Sequence, residues 1–236
     1  MFKKLLPCAF VLSGLMAGHA HAEFVKMDWK TEGDSLAVID TDTNLEWMSL
    51  TQTDGMSIAD VQAELALGAD GKFEGWRLPT GAEVEAMMQN MYGSRIVEGN
   101  SNAHWNSKQT GIYSPFASAF GWTYTYKKTS YPAKYEYRSY ALYTDESGEI
   151  MMSGVRYLNA PKPTQSQYRV YDTWLYEDHA SDSYTEDFGS GYYGVFLVSD
   201  GGFTIDSPDK NSTSDVPVPL IAAFPLLGLM ALRRRK

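Results

Sequence analysis

The sequence predicts an α+β domain, on three observations. Two stretches, residues 57–67 and 80–91, carry capping-box helix starts with an apolar stripe behind them. Apolar-alternating runs at residues 24–29, 35–40 and 192–199 read as strands. Pro132, Pro161 and Pro163 predict long loops between short strands.

In chain order, residues 24–29 are the first strand and residues 35–40 the second, with Leu36-Ala37-Val38-Ile39 as apolar content. Residues 40–44 read as a polar turn, and Leu45 and Trp47 open a further strand. Asp40, Asp42 and Asn44 imitate the start of a calcium loop. The imitation fails, because position six would be Leu45 rather than Gly and position twelve Thr51 rather than Glu. Ser57 caps the first helix with Asp60 at its third position. Ile58, Val61 and Leu65 form its buried stripe, and Gly68 ends it.

The densest local signal is Gly75-Trp76-Arg77-Leu78-Pro79-Thr80-Gly81-Ala82-Glu83. Pro79 holds Leu78 extended, which ends strand-like structure there. Thr80 and Glu83 make a capping box, Val84, Met87, Met88 and Met91 follow at helical spacing, and Gly93 closes the helix. Trp76 is expected in the core. Arg77 is free to bond carbonyls or to pair with an acid such as Glu83.

From Trp105 to Tyr143 the chain is crowded with aromatics. Trp122, Tyr124 and Tyr126 alternate with threonines, which predicts a strand with one aromatic face. Tyr135, Tyr137 and Tyr143 repeat the theme among lysines and arginines. Exposed, such a row suits sugar binding by ring stacking; buried, it is core. Residues 172–187 hold Asp172, Glu177, Asp178, Asp182, Glu186 and Asp187 around His179, and read as an acidic loop able to take a cation such as Ca2+. Residues 192–199 are the clearest late strand, with residues 203–205 as its expected partner.

The two ends read as addresses. Lys3 and Lys4 precede an apolar run from Leu5 to Ala17, and Ala20-His21-Ala22 sets small residues around a cleavage point before Glu23. Residues 1–22 are therefore expected to be a signal peptide, residues 23–206 one domain and residues 207–215 a polar linker. Val216-Pro217-Val218-Pro219 then precedes an apolar stretch from Leu220 to Leu232 and the cluster Arg233-Arg234-Arg235-Lys236. Those thirteen apolar residues fall short of the roughly 20 of an ordinary membrane span. The basic end would stay on the cytoplasmic side of a membrane the segment enters.

Of the 236 residues, 44% are hydrophobic, and about 190 remain between the two addresses, enough for one substantial core. The formal charge is -9, from 20 basic and 29 acidic residues. Lys3, Lys4, Arg233, Arg234, Arg235 and Lys236 lie in the addresses, so 14 basic residues face 29 acidic ones in the body, a balance of -15. Such a body repels nucleic acid and anionic lipid; divalent cations or neutral polysaccharide fit better, and solubility alone explains it too. The single cysteine, Cys8, lies in the leader after Leu5-Leu6-Pro7, a poor lipoprotein box, so no disulfide framework and no Cys metal site is expected in the body.

The order proline motif, apolar segment, arginine cluster in residues 216–236 resembles the PEP-CTERM class of bacterial sorting signals. Val218 stands where the name-giving motif has glutamate. The resemblance implies an exosortase-type enzyme as partner, a transient transmembrane helix and a place at the envelope, cell surface or extracellular matrix. Within the body, Asp40, Thr43, Leu45 and Trp47, then the 57–67 helix, then Gly75-Trp76-Arg77-Leu78-Pro79-Thr80 with Glu83, resemble DUF1566, or Lcl C-terminal-like, domains. Residues 194–198 look like that family's closing core strand. This resemblance implies a C-type-lectin-like domain, with two helices packed on short, mostly antiparallel strands with long loops, and brings no catalytic residue with it.

The leading expectation is a non-catalytic surface or matrix protein that binds polysaccharide or another envelope component, with Trp122, Tyr124 and Tyr126 as ligand contacts. One alternative is a secreted glycan-acting hydrolase using acids such as Glu136, Glu177 or Asp187. The other is a structural scaffold without a soluble ligand. No His-Glu-x-x-His or Gly-x-Ser-x-Gly motif is present, and His104 and His179 stand alone.

Overall fold

A computed structural model describes residues 23–95, 102–162 and 165–207. The leader with Ala20 and Ala22, the linker past Ser207, and the tail with Val216, Pro217, Val218, Pro219, Arg233, Arg234 and Arg235 lie outside the described residues. Among the described residues no helix is long and apolar enough to cross a membrane.

Strands β1 (Phe24–Met27), β2 (Ala37–Asp40) and β3 (Leu45–Met48) form an antiparallel meander where the sequence predicts strands. Asp40 is fully buried at the β2–β3 turn. Its carboxylate accepts from the Asp42 backbone N–H (3.0 Å) and the Asn90 side chain (2.9 Å), so it braces the turn rather than serving a cation. Helix α1 (Ile58–Ala66) starts on the Ser57–Asp60 capping box and α2 (Gly81–Tyr92) on the Thr80–Glu83 box. Ile58 and Val61 are buried on the first, and Val84, Met87 and Met88 on the second.

The block before α2 is stitched to the end of the domain. Trp76 is buried, and the Arg77 backbone exchanges two 2.9 Å hydrogen bonds with Val198. The Arg77 guanidinium forks onto Glu83 (2.8 and 2.6 Å) and reaches Asp200 (2.9 Å). That fork holds the Glu83 carboxyl at about 2. Gly75 sits at φ +79, and the Phe203 ring lies so close that a Cβ there would come within 1.9 Å of it.

The middle of the chain departs from the expectation. A third helix, α3 (Thr110–Phe120), packs Ile112, Phe116, Ala119 and Phe120 into the core, with Pro115 inside it. Short strands and long loops were expected here. Instead β6 (Lys134–Thr144), β7 (Ile150–Lys162) and β8 (Gln165–Ala180) run 11, 13 and 16 residues. Pro161 lies within β7, and the supposed acidic loop begins as strand, with Asp172, Glu177, Asp178 and His179 on β8. Long antiparallel pairing satisfies these backbones better than a loop does. With β4 (Asn102–Trp105) and β5 (Tyr124–Lys128) the order of this second sheet is β4-β8-β7-β6-β5.

The late run at 192–199 is not one strand. It divides into β9 (Gly194–Val195), parallel to β6, and β10 (Val198–Ser199), antiparallel to β3. Between them the Phe196 N–H donates to the Leu142 carbonyl, and the Leu197 carbonyl accepts from Met48 N–H. One segment therefore serves both sheets, which is why it breaks. Residues 203–205 do not pair with it; the Ile205 N–H donates to the carbonyls of Asp28 and Trp29.

Two cores meet the near end of the five-strand path. Helices α2 and α3 cover one face, where Ala141, Tyr143, Val155 and Leu175 join Trp47 and Phe196. Helix α1 and the Trp29–Phe73–Trp76 cluster cover the other, against Tyr140, Leu142 and Met152. The α+β class therefore holds, with three helices and antiparallel sheets.

Candidate ligand-binding face

The strands β6, β7 and β8 run on beyond both cores as a ribbon. Its register sets Tyr124 opposite Arg138, Arg138 opposite Arg156, Arg156 opposite Trp174, and Trp174 opposite His104. Directly opposed residues share a face, so five strands contribute one continuous row. The Arg138 guanidinium lies 5.3 Å from the Tyr124 ring and 4.8 Å from Tyr192. Arg156 lies 4.5 Å over Trp174, whose other face stacks on His104 at 4.6 Å and 8°. His104 Nε2 meets the Asp172 carboxylate at 3.2 Å.

The neighbouring row holds Tyr126, Glu136, Leu158 and Asp172. Glu136 is 3% exposed. It accepts from Arg138 Nε (2.9 Å) and Nη2 (2.6 Å), and it pairs with Arg156 (2.7 Å) and Lys134 (3.0 Å). Burial pushes its carboxyl up. The hydrogen bonds from Arg138 and Lys134 and the charge of Arg156 outweigh that and hold it at about 2. Arg156 Nε is buried with no hydrogen-bond partner among the described residues.

Trp122, Tyr124 and Tyr126 do not form one face. The strand starts only at Tyr124, because Gly121, at φ +82, ends α3 and redirects the chain. Trp122 turns to the opposite side, 5.3 Å from Tyr137 and 6.2 Å from Tyr113, where Tyr113 stacks on Tyr157 at 4.8 Å. Tyr124 and Tyr126 stay with the row, and Tyr126 is 40% exposed under Lys134.

The acids considered for hydrolysis do not form a pair in this ribbon. Glu136 is level with Asp172, and Glu177 lies five residues further along β8, about 16 Å of strand. Asp187 is exposed beyond β8. A carboxyl held ionised at about 2 also cannot serve as a general acid near neutrality. His179 is engaged with Asn102 (3.3 Å) and with the Tyr176 and Tyr184 rings. The 172–187 stretch forms no metal cluster among the described residues.

Arg138, Arg156, Trp174 and Tyr192 were not singled out by the sequence. They come from four segments: strand register unites the first three, and the turn carrying Tyr192 joins them through its contacts with Arg138 and Tyr124. Open clefts of about 340 Å³, beside Phe24 and Ala119, and about 190 Å³, beside Arg95 and Ile112, are lined by other residues. Comparison of the chain with protein-family models, with curated proteins and with solved structures gives no match.

Proposed function

We propose that this is an exported, non-catalytic envelope or matrix protein that binds polysaccharide on the ribbon face carrying Arg138, Arg156 and Trp174. The single observation that carries the reading is that row of rings and guanidinium groups, left outside both cores. A row built for folding alone would sit under a helix, as the near end of the same strands does. Tyr126 and Tyr192, each 40% exposed at the margin of the row, offer ring faces on which pyranoses stack. Both faces of Trp174 are already covered, by Arg156 and His104, so it braces the row instead.

The domain is read here as C-type-lectin-like, from its resemblance to DUF1566 domains and from α1 and α2 standing where that resemblance expects helices. The tail is read as a PEP-CTERM-type signal that an exosortase-type enzyme handles at the membrane. The start and end of the described domain are adjacent, with the Asp28 N–H donating to Asp206 at 2.7 Å.

The test is cosedimentation of the full chain with the producing organism's extracellular polysaccharide. Saturable binding that falls severalfold in Tyr126→Ala/Tyr192→Ala, with unfolding temperature unchanged, is the expected result. Absence of binding by the folded chain would sink the reading.

A further inference from the structure

The ribbon is an exception to the charge of its own domain. On this face, among the described residues, the register places Lys128, Lys134, Arg138 and Arg156 against only Glu136 and Asp172, in a chain with 29 acidic and 20 basic residues. Glu136 supplies one negative charge to three cations within 3.0 Å. Donors exceed acceptors here, as the partnerless Arg156 Nε shows among the described residues. Both guanidinium groups are fixed before any ligand arrives. Arg156 is laid on Trp174, Arg138 lies beside Tyr124 and Tyr192, and Glu136 ties the two together. Preorganised forks lose little entropy on binding, and a planar carboxylate is the anion whose geometry they match two bonds at a time.

We infer that Arg138 and Arg156, organised by Glu136, bind the carboxylate of an isolated acidic sugar in an otherwise neutral polysaccharide. The inference rests on the polysaccharide reading and narrows it. Isolation follows from the charge pattern. A dense polyanion crossing this face would also cross the acidic remainder of the domain, and within a Debye length of about 8 Å it would be repelled there. A single acidic sugar between neutral ones meets the local excess of cations and avoids the rest. The flanking rings of Tyr126 and Tyr192 then take the neutral neighbours.

The experiment uses the full chain and three probes: a neutral glucan, the same glucan sparsely oxidised to glucuronate, and a polymer made wholly of uronate. The expected result is binding to the sparsely oxidised glucan about tenfold tighter than to either other polymer. Arg156→Gln and Arg138→Gln remove that preference, bringing the affinity for the oxidised glucan down to the variant's own affinity for the neutral one. Lys128→Gln, on the same face but away from Glu136, keeps the preference. Should an arginine variant fail to fold, reducing the probe's carboxyl groups back to alcohols makes the same test on the unaltered chain, and the preference is expected to vanish. Equal affinity for the oxidised and the reduced glucan would overturn the inference and leave the polysaccharide reading standing. Tightest binding to the all-uronate polymer would overturn it too. Binding to none of the three overturns both.

Discussion

The near and far halves of the long strands are one piece of backbone in two environments. In the near half Tyr140, Ala141, Leu142 and Tyr143 are all buried in succession, because helices or loops cover both faces of β6. In the far half of the same strand, Lys134, Glu136 and Arg138 line one face while Tyr135 and Tyr137 line the other. Strand pairing is indifferent to which half it holds; side chains are not. Continuous burial makes the near half the folding core, whereas the Arg138 face of the far half lies outside both cores and is the face proposed for a ligand.

The largest break in this comparison is Tyr140→Ala. Tyr140 is 4% exposed and packs against Tyr176 and Tyr193 at 5.4 Å each. Its removal is expected to cost about 3–5 kcal/mol in denaturant unfolding. An unfolding midpoint near that of the unaltered chain would mean that the near half is not the core described.

Glu136→Gln comes next. It removes the one carboxylate from three cations, which are a quarter to two-fifths exposed, so the expected cost is about 1–3 kcal/mol. It also carries a pH signature. The folded value of about 2 lies below the ordinary 4.5. The ionised carboxylate therefore stabilises fully above about pH 4.5, and that contribution is lost as pH falls toward 2. Glu83, also held at about 2, adds to the same window. Stability should fall from pH 4.5 to 2 in the unaltered chain and fall less steeply in Glu136→Gln, read by thermal unfolding at each pH. Parallel profiles would refute the clamp.

Trp122→Ala separates the two sides of the ribbon. Trp122 packs with Tyr113 and Tyr137 on the side away from Arg138. The expected loss is about 1–2 kcal/mol of stability, with polysaccharide binding retained. Binding lost with folding intact would move the ligand face to the other side.

The helix starts were legible because each is written within four residues: Ser57 with Asp60, and Thr80 with Glu83. Strands β1, β2 and β3 were legible for the same local reason. Helix α3 was less so, since Pro115 reads as a breaker and no side chain caps its start, although Ile112, Phe116, Ala119 and Phe120 recur at helical spacing. The long strands hid behind Pro161 and the acids of β8, which local rules assign to loops. The row proposed to bind a ligand was illegible. Arg138, Arg156 and Trp174 are 18 residues apart in sequence at each step, and no spacing rule joins them before β6, β7 and β8 are paired.

The smallest expected effect sharpens the comparison most, because it repeats the first substitution on the other half. Tyr126 projects from the same face of the sheet as Tyr140, yet Lys134 alone lies over its ring among the described residues, at 5.5 Å, and the ring is 40% exposed. Tyr126→Ala is expected to change stability by less than about 0.5 kcal/mol, since little apolar surface leaves a packed environment. The same substitution is expected to weaken polysaccharide binding severalfold, through loss of one stacking face. A tyrosine that matters for folding and not for binding, beside one that matters for binding and not for folding, is what a single sheet divided into core and ligand face requires. Equal stability losses at the two positions would mean that the ribbon is core throughout.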